Sequence, residues 1–237
     1  MWQFDTEFSE IIKRTPNIKS FRFPIHTEKA PFEPGQFFFV TIEVHGVNNV
    51  HHFSFSSSPT DGEYIEFTKR ITISSYSQTL DKVREGTWAY IKGPFGKYTL
   101  PSAKQLIAFL TGGIGITPII SMLRYIAYYN HHYDIVLLYG NENYESIAFY
   151  QGLDELSRSL SSFRVEHFLS QPQSYRKWRG KRGYINKDIV IETIPDYKDR
   201  LFYISGPPKM VLYLTEELNN IKISEEQIMK DSFTGYD

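Results

Sequence analysis

Three glycines in one short turn are the sequence's best candidate for chemistry. The turn Gly112-Gly113-Ile114-Gly115 follows an apolar run, Leu106–Leu110, and precedes Thr117-Pro118 and a second apolar run. Threonine is a good helix N-cap and proline suits the first helical position, so the pattern predicts a buried strand, a glycine turn and a helix. A helix start offers free N–H groups and partial positive charge, and glycine lets a ligand approach the backbone. The stretch predicts a site for a pyrophosphate or a nicotinamide ribose, with a ligand-free tight turn as the alternative.

Two more turns follow short apolar runs in the second half of the chain. Gly140-Asn141-Glu142 comes after the run 135–139, and Gly206-Pro207-Pro208-Lys209-Met210 comes after Leu201–Ser205. Continuous apolar runs of this length are typical of parallel strands that are buried on both faces. Ligands in such sheets bind at the carboxyl ends of the strands, so we expect both turns to border the same site.

A serine-rich segment in the first half, His51–Pro59, is a third candidate. It is interpreted either as an edge strand that enters a polar turn or as a strand whose hydroxyls line a flat ligand. Glu66–Arg70 then leads into Ser74–Leu80, which indicates a capped helix or an anion site at a helix start beside a cation. The adjacent pair His51-His52 could instead suggest a metal, but neighbouring strand residues point to opposite faces, and we predict no metal site.

Five motifs, in this order, resemble those of the ferredoxin–NADP reductase family. The segment His51-x-Phe53-Ser54 is similar to the family's flavin motif Arg-x-Tyr-Ser-x-x-Ser, and Gly93-Pro94-Phe95-Gly96 is similar to the turn that closes its barrel. Gly-Gly-x-Gly-x-Thr-Pro resembles the family's nucleotide motif, and Ser205–Met210 resembles Cys-Gly-Pro-Pro-x-Met beside the nicotinamide. The end of the chain resembles the family's terminal Phe-x-Gly-Tyr. His51, Phe53 and Ser205 stand where the family has arginine, tyrosine and cysteine.

The resemblance implies FAD as the bound flavin and NADH or NADPH as the hydride donor. It implies that Ser54 hydrogen-bonds near flavin N5 and that Phe53 lies against the isoalloxazine or ribityl chain. Phe233 is the implied stacking ring, and Asp231 an implied partner of the Ser54 region. The resemblance assigns a reacting centre of Ser54, Ser205 and Phe233; flavin binding to His51, Phe53, Ser54, Thr68, Lys69, Arg70, Ser75, Tyr76, Ser77 and Phe233; and nucleotide binding to Gly112, Gly113, Gly115, Thr117, Pro118, Gly140, Asn141, Glu142, Gly206, Pro207 and Met210.

Glu142 occupies the position at which the family often carries an arginine for the 2′-phosphate of NADPH. A carboxylate repels a phosphate and accepts hydrogen bonds from ribose hydroxyls, so the sequence favours NADH. A basic cluster further along is interpreted as a solvated loop, as a dock for an acidic electron carrier or as a substitute site for the 2′-phosphate. The cluster contains Arg176, Lys177, Arg179, Lys181 and Arg182.

Composition narrows the class of protein. The 237 residues carry a net charge of −1, which gives no indication of nucleic-acid binding. The absence of cysteine excludes disulfides, thiolate nucleophiles and ordinary iron–sulfur clusters from this sequence, and it fits a cytoplasmic protein. The beginning of the sequence does not have the pattern of a signal peptide, and glycines, Pro118 and Arg124 interrupt the most apolar region, so we predict no membrane span.

The elements that must position these residues change in kind near residue 102. Residues 1–101 show short strand patterns with regular turns and one helix near Ser77–Val83, which predicts a small antiparallel β-barrel. Residues 102–237 alternate strands and helices, which predicts an α/β Rossmann-like domain with a parallel sheet. The resemblance implies that the barrel binds the flavin and that the α/β domain binds the nicotinamide nucleotide. The predicted strands are Phe8–Thr15, Ile18–Pro24, Phe37–Val44, His52–Ser56, Tyr64–Ile71, Thr87–Lys92, 135–140, Arg164–Leu169 and Leu201–Ser205; the later helices are Ile147–Leu160 and Met210–Leu218.

Three functions are compatible with these patterns. The first is a reductase that passes hydride from NADH to FAD and then electrons to a separate protein, such as a ferredoxin or an oxygenase component. The second is a flavin reductase that releases reduced free flavin. The third is a non-catalytic flavin- or nucleotide-binding subunit of a larger redox complex.

Overall fold

The chain folds into two compact units in a computed structural model that describes residues 1–26, 28–102, 105–129, 133–171 and 177–233. The first unit contains Met1–Leu100 and Thr117–Tyr128. The second contains Pro101–Ile116 and the described residues from Tyr129 onward. The helix that follows the glycine turn is thus grouped by its contacts with the first unit. The domain boundary near residue 102 stays a prediction.

Two antiparallel sheets and one helix make up most of the first unit. One sheet has the strand order β1-β7-β4-β5 and the other β2-β3-β6. Between them lies a core of fully buried aromatic rings that includes Phe21, Phe23, Phe38, Phe55 and Phe67. The elements are β1 (Trp2–Glu7), β2 (Glu10–Thr15), β3 (Ile18–Phe23), β4 (Phe37–Val44), β5 (Val47–Ser54), β6 (Ile65–Arg70), α1 (Ser75–Lys82) and β7 (Trp88–Phe95).

A six-stranded parallel sheet with helices forms the second unit. Its strand order is β11-β10-β9-β8-β12-β13, and β8 and β9 at its centre are almost fully buried. The N-terminal antiparallel β domain and the C-terminal parallel α/β domain are therefore confirmed. The elements are β8 (Leu106–Gly112), β9 (Asp134–Asn141), α3 (Tyr150–Ser159), β10 (Phe163–Leu169), β11 (Lys181–Arg182), α4 (Lys187–Thr193), β12 (Leu201–Gly206), α5 (Pro208–Asn220) and β13 (Ile228–Ser232), and α2 (Ile116–Tyr129) follows β8 in the chain.

Several predicted element bounds in the first unit are wrong. Strand β5 begins at Val47 rather than at His52, because His45 and Gly46 both adopt positive φ (52° and 80°) and turn the chain at once into a hairpin. The predicted strand Phe8–Thr15 begins only at Glu10 as β2, since Phe8 and Ser9 connect the end of β1 at Glu7 to that strand.

The remaining differences have local causes. Helix α1 starts at Ser75, where the Ser74 side chain accepts a hydrogen bond from the Ser77 N–H. The Gly93–Phe95 segment, predicted as a turn, is the end of β7. The predicted helix 147–160 starts only at Tyr150, because Phe149 is left-handed (φ 59°). Strands β1, β11 and β13 and helix α4 were not predicted.

A buried carboxylate ties three strands of the first unit together. Glu66 on β6 is fully buried, and it accepts hydrogen bonds from Arg14 on β2 (3.0 Å) and Arg22 on β3 (2.9 Å). Both arginine side chains are about four-fifths buried, so neither guanidinium is well solvated. Removal of the shared carboxylate would leave two largely desolvated cations without this partner.

We predict that Glu66→Gln lowers the free energy of unfolding by about 3 kcal/mol, because breaking a buried ion pair leaves an uncompensated charge. Urea titration followed by circular dichroism measures the change. The matched control is Glu192→Gln, since Glu192 pairs with Lys181 at the surface (3.2 Å) and its loss should matter little. A loss in Glu66→Gln no larger than in the control would contradict the prediction.

Candidate functional site

The glycine turn lies at the carboxyl end of β8, packed tightly against the end of β12. A Cβ added to Gly115 would lie 2.3 Å from the Ser205 carbonyl oxygen, and one added to Gly112 would lie 2.5 Å from the Met210 sulfur. Only glycine fits these two positions without a shift of neighbouring atoms. Gly113 between them has φ +55°. The predicted strand, glycine turn and helix are therefore confirmed, and the turn packs against the end of the neighbouring strand β12.

Side-chain hydrogen bonds fix the shape of this turn. The Thr111 hydroxyl donates to the Ser205 carbonyl (2.9 Å), and the Ser205 hydroxyl donates to the Gly115 carbonyl (2.6 Å). The Tyr139 hydroxyl donates to the Gly113 carbonyl (2.9 Å). Ser205 is fully buried, and its hydroxyl holds the glycine turn in place. Its predicted place at the reacting centre stays a prediction.

Helix α2 begins directly after a 3-10 turn at Gly113–Gly115. It starts at Ile116, so Thr117 and Pro118 lie in its first turn rather than at the cap and the first helical position. The prediction of the cap is wrong because the chain already curls before Thr117. The helix still presents its N-terminus immediately after the glycine turn, as an anion site requires.

The last residue of β9 carries a buried side-chain amide with no hydrogen-bond partner in the described part of the chain. Asn141 is 7% exposed, and neither its side-chain oxygen nor its nitrogen has a hydrogen-bond partner within the described ranges. A buried polar group of this kind is costly unless something bonds to it. Gly140 next to it has no atom closer than 3.7 Å to an added Cβ, and Glu142 is exposed. An unpaired amide at a strand end suits the ribose or phosphate of a nucleotide.

The end of β12 and the end of β13 meet beside the same turn. In the parallel register, Asp231 pairs with Ser205 and Ser232 with Gly206. The Phe233 N–H donates to the Gly206 carbonyl (2.9 Å), and Phe233 is 9% exposed. Burial raises the pKa of the Asp231 carboxyl to about 6. The role of Phe233 as the stacking ring stays a prediction, and residues 234–237 of the terminal motif lie outside the described residues.

The predicted flavin strand places its aromatic rings in the core of the first unit. The Phe53 ring stacks on Phe67, with centroids 4.4 Å apart and planes at 19°. The His51 ring lies 4.0 Å from the Tyr76 ring, and the Tyr76 hydroxyl donates to the Val40 carbonyl (3.1 Å). These contacts position the strand that ends at Ser54, which is 8% exposed.

Lys69 on β6 and His51 on this strand influence each other electrostatically. Lys69 on β6 is 5% exposed, its ammonium lies 5.9 Å from the centroid of the Phe53 ring, and burial lowers its pKa to about 8. The pKa of His51 is lowered by burial and then by the charges of Lys69 and His52. Near neutral pH, Lys69 is therefore the charged member of the pair and His51 the neutral one. Arg70, the neighbour of Lys69, points to the other face of β6.

The helix start at α1 has its own hydroxyl groups arranged around it. The Ser77 hydroxyl accepts from the Thr72 N–H (2.8 Å), and Ser75 is exposed at the first position of the helix. Thr68 points away from this region, because its hydroxyl shares hydrogen bonds with Ser20 (2.7 Å) and Ser56 (2.8 Å). The structure brings Lys69, His51 and Tyr76 together, and it places Thr68 in the Glu66 network instead.

A recess in the surface of the first unit lies beside α1. It has a volume of about 500 Å³ and is lined in part by Ser75, Gln78 and Lys82 of the helix and by His45 of the hairpin.

Of the basic cluster, Arg176 lies outside the described residues. The other four side chains are exposed, and Lys181 pairs with Glu192.

Sequence reasoning missed three polar residues that the structure buries wholly or in part. Ser121 and Arg124 on α2 donate to the serine-rich segment, and His167 on β10 lies 4.9 Å from the Tyr150 ring. Burial lowers the pKa of His167 to about 4. Only Ser121 and Arg124 could have been noticed in the sequence, as polar residues in an otherwise apolar helix.

In the described ranges, no group of three or more His, Asp or Glu could hold a metal, and no helix is long and apolar enough to cross a membrane.

Two family profiles together match most of the chain. Residues 5–100 match "Oxidoreductase FAD-binding domain" and residues 109–216 match "Oxidoreductase NAD-binding domain". The glycine betaine monooxygenase reductase subunit of Pseudomonas aeruginosa is 29% identical over 181 residues, which are 74% of this chain and 49% of that protein. The corresponding subunit of Chromohalobacter salexigens is 25% identical, over 94% of this chain and 62% of that protein. The chain thus spans about half to three-fifths of these curated relatives.

Solved structures share the fold at lower sequence identity. A ferredoxin NADP⁺ reductase from Neisseria gonorrhoeae, solved with FAD and NADP, aligns with a TM-score of 0.84 at 18% identity, over 97% of this chain and 98% of that one. The cytochrome b5 reductase domain of Ulva prolifera nitrate reductase aligns with a TM-score of 0.84 at 20% identity, over 97% of both chains. With an FAD-binding domain followed by an NAD-binding domain, this chain belongs to the ferredoxin–NADP reductase-like family of flavoprotein oxidoreductases.

Proposed function

We propose that this chain is a flavin-dependent NAD(P)H oxidoreductase that delivers electrons to a separate protein, such as a ferredoxin or an oxygenase component. The observation that carries the proposal is the presence of an FAD-binding and an NAD-binding oxidoreductase domain in one chain. When bound, the flavin supplies the redox chemistry, because it takes hydride from a reduced nicotinamide and releases electrons singly. The similarity to two monooxygenase reductase subunits supports a protein acceptor.

We propose that residues 1–101 bind the flavin and that residues 102–237 bind the nicotinamide nucleotide. The FAD-binding match ends at residue 100 and the NAD-binding match begins at 109, which supports this division. We also place the protein in the cytoplasm, which a cysteine-free sequence favours.

The proposed nucleotide site uses backbone and amide groups at the ends of β8, β9 and β12. Gly112 and Gly115 let the turn pack directly against Met210 and Ser205, Gly113 between them is half-buried, and the start of α2 offers N–H groups for a phosphate. The unpaired amide of Asn141 can donate to and accept from the ribose. Glu142, exposed beside it, favours the unphosphorylated ribose of NADH over NADPH.

The proposed flavin site uses Ser54, the start of α1 and one buried cation. Ser54 would orient the flavin ring through a hydrogen bond near N5, and the first N–H groups of α1 would hold a phosphate. Lys69 supplies positive charge next to His51, where the family has arginine. The buried ammonium thus fits the negatively charged group that an FAD diphosphate would bring.

A flavin reductase that releases reduced flavin is the second candidate. One observation favours it: the lowered pKa of His51 leaves this side chain neutral, so it cannot make the charged contact that arginine makes to a phosphate. A weaker phosphate contact favours exchangeable flavin. Retention of the flavin during gel filtration separates the candidates, since a reductase for a protein acceptor keeps its flavin.

The proposal predicts that the FAD-loaded chain oxidises NADH with ferricyanide as acceptor. Gly115→Ala should raise the KM for NADH by about 10-fold or more and leave the FAD content unchanged, because its Cβ cannot fit against Ser205. The control is Gly152→Ala in α3, where an added Cβ meets nothing within 4 Å. Bound FAD without NADH oxidation in the wild type would contradict the reductase and favour a non-catalytic subunit.

The exposed carboxylate at the end of β9 predicts the nucleotide preference. Glu142→Arg should raise the ratio of kcat/KM for NADPH to that for NADH by at least about 10-fold, because arginine binds the 2′-phosphate that glutamate repels. Glu145→Arg, three residues away and also exposed, is the control for the added charge. An equal gain in both variants would show that position 142 does not contact the 2′ group.

The buried ammonium of Lys69 predicts a pH dependence of flavin binding. Since the pKa is about 8, the group is charged below that pH, and FAD affinity should be constant there and fall as the pH rises through it. Lys69→Gln should weaken FAD binding by about 10-fold and abolish this dependence. Titration of FAD fluorescence between neutral and alkaline pH measures both effects. Lys19→Gln, at the paired position on β3, is the control, and an unchanged pH profile in Lys69→Gln would contradict the assignment.

A further inference from the structure

The serine segment that follows Ser54 is fixed through its backbone from two sides. On one side, the N–H groups of Ser56 and Ser57 donate to the Glu66 carbonyl (2.8 and 3.3 Å). On the other side, the carbonyls of the same two residues accept hydrogen bonds from side chains of helix α2. Ser56 and Ser57 therefore cannot rotate their peptide planes without breaking several hydrogen bonds.

Helix α2 supplies the two donors from neighbouring turns. The Ser121 hydroxyl donates to the Ser57 carbonyl (2.6 Å), and Arg124 Nη1 donates to the Ser56 carbonyl (2.9 Å). Ser121 is fully buried, so no water competes for its bond. The Arg124 guanidinium also lies 3.7 Å from Asp61 and 3.8 Å from Glu66, which orients it toward the segment.

The side chains of the segment complete the attachment. The Ser56 hydroxyl donates to the Glu66 carboxylate (2.9 Å), and the Ser57 hydroxyl accepts from the Glu66 N–H (2.9 Å). Glu66 is itself held by Arg14 and Arg22. The segment is thus part of a buried hydrogen-bond network, of the kind that fixes one conformation.

We propose that Ser121 and Arg124 are positioning residues for the flavin, acting through the backbone of Ser56 and Ser57 on the hydroxyl of Ser54. This inference rests on the proposed function, because it needs a flavin against Ser54. Only Phe55 separates Ser54 from Ser56, so a shift of the fixed segment moves the hydroxyl. A displacement of about 1 Å in a reacting site can cost about 100-fold in rate.

A positioning role and a stabilising role have different consequences for the bound flavin. A residue that only stabilises the fold lowers the melting temperature and leaves the flavin environment of the folded protein unchanged. A positioning residue alters the visible spectrum and the midpoint potential of the bound flavin and lowers kcat, whereas the KM for NADH is unchanged.

The test compares Ser121→Ala and Arg124→Gln in the FAD-loaded chain with two matched controls. Thr215→Ala removes a buried hydroxyl that bonds to Val211 in α5, and Arg200→Gln removes a buried guanidinium that bonds to the carbonyls of Ile107 and Asp134. We expect kcat with ferricyanide to fall by about 10-fold in both α2 variants, with a shifted flavin spectrum and potential and a KM for NADH within about twofold. The controls should keep the wild-type spectrum and potential.

Each other outcome overturns the inference. If the wild type is reduced by NADH and Ser121→Ala matches it in kcat, spectrum and potential, the positioning role is wrong and the proposed function stands. If the controls shift the flavin spectrum as much as the α2 variants, the effect is one of stability. If the wild type binds no FAD, the proposed function fails and the inference fails with it. Ser121→Ala removes only one neutral hydroxyl, so this variant alone tests the positioning role even if Arg124→Gln does not fold.

Discussion

The backbone contact between the glycine turn after β8 and the end of β12 is the constraint on which the second unit depends. A single added carbon at Gly115 would lie 2.3 Å from the Ser205 carbonyl oxygen, so the turn meets the end of β12 with no side chain between them. Hydrogen bonds from Thr111 and Ser205 close the same contact. Because the backbones meet, the glycine turn and the turn after β12 lie side by side at the carboxyl ends of the strands. This is how a parallel sheet presents N–H groups to a phosphate.

In the first unit, buried charged side chains are the corresponding constraint. Burial and neighbouring positive charge keep His51 neutral, whereas Lys69 carries the charge near neutral pH. The charged side chain in this region is therefore Lys69 on β6 and not His51 on β5. On the opposite face of β6, Glu66 gathers Arg14 and Arg22 and fixes the serine segment. One strand thus combines the candidate phosphate contact with the support of the flavin strand.

The change of pattern near residue 102, together with the family resemblance, predicted the architecture, whereas long-range contacts were not accessible from local patterns. The glycine turn and the apolar runs around it predicted β8, β9 and β12 because their signals lie within a few residues. The His45-Gly46 hairpin was missed, since histidine with positive φ is uncommon there. The Glu66 network joins this residue to Arg14 and Arg22, which lie 52 and 44 positions earlier in the sequence. No pattern within a short stretch of sequence connects partners so far apart. The resemblance implies that Phe53 lies against the flavin, and this stays a prediction. Its stacking on Phe67 could not be derived from the sequence, because alternation gives the face of a strand but not the partner.

The most direct test of the central claim is an anaerobic titration of the FAD-loaded chain with NADH, followed through the visible flavin band. We predict that the band bleaches with about one equivalent of NADH, since one hydride reduces one flavin. Bound FAD whose band does not change with either NADH or NADPH would contradict the claim. So would a chain that binds no FAD at all.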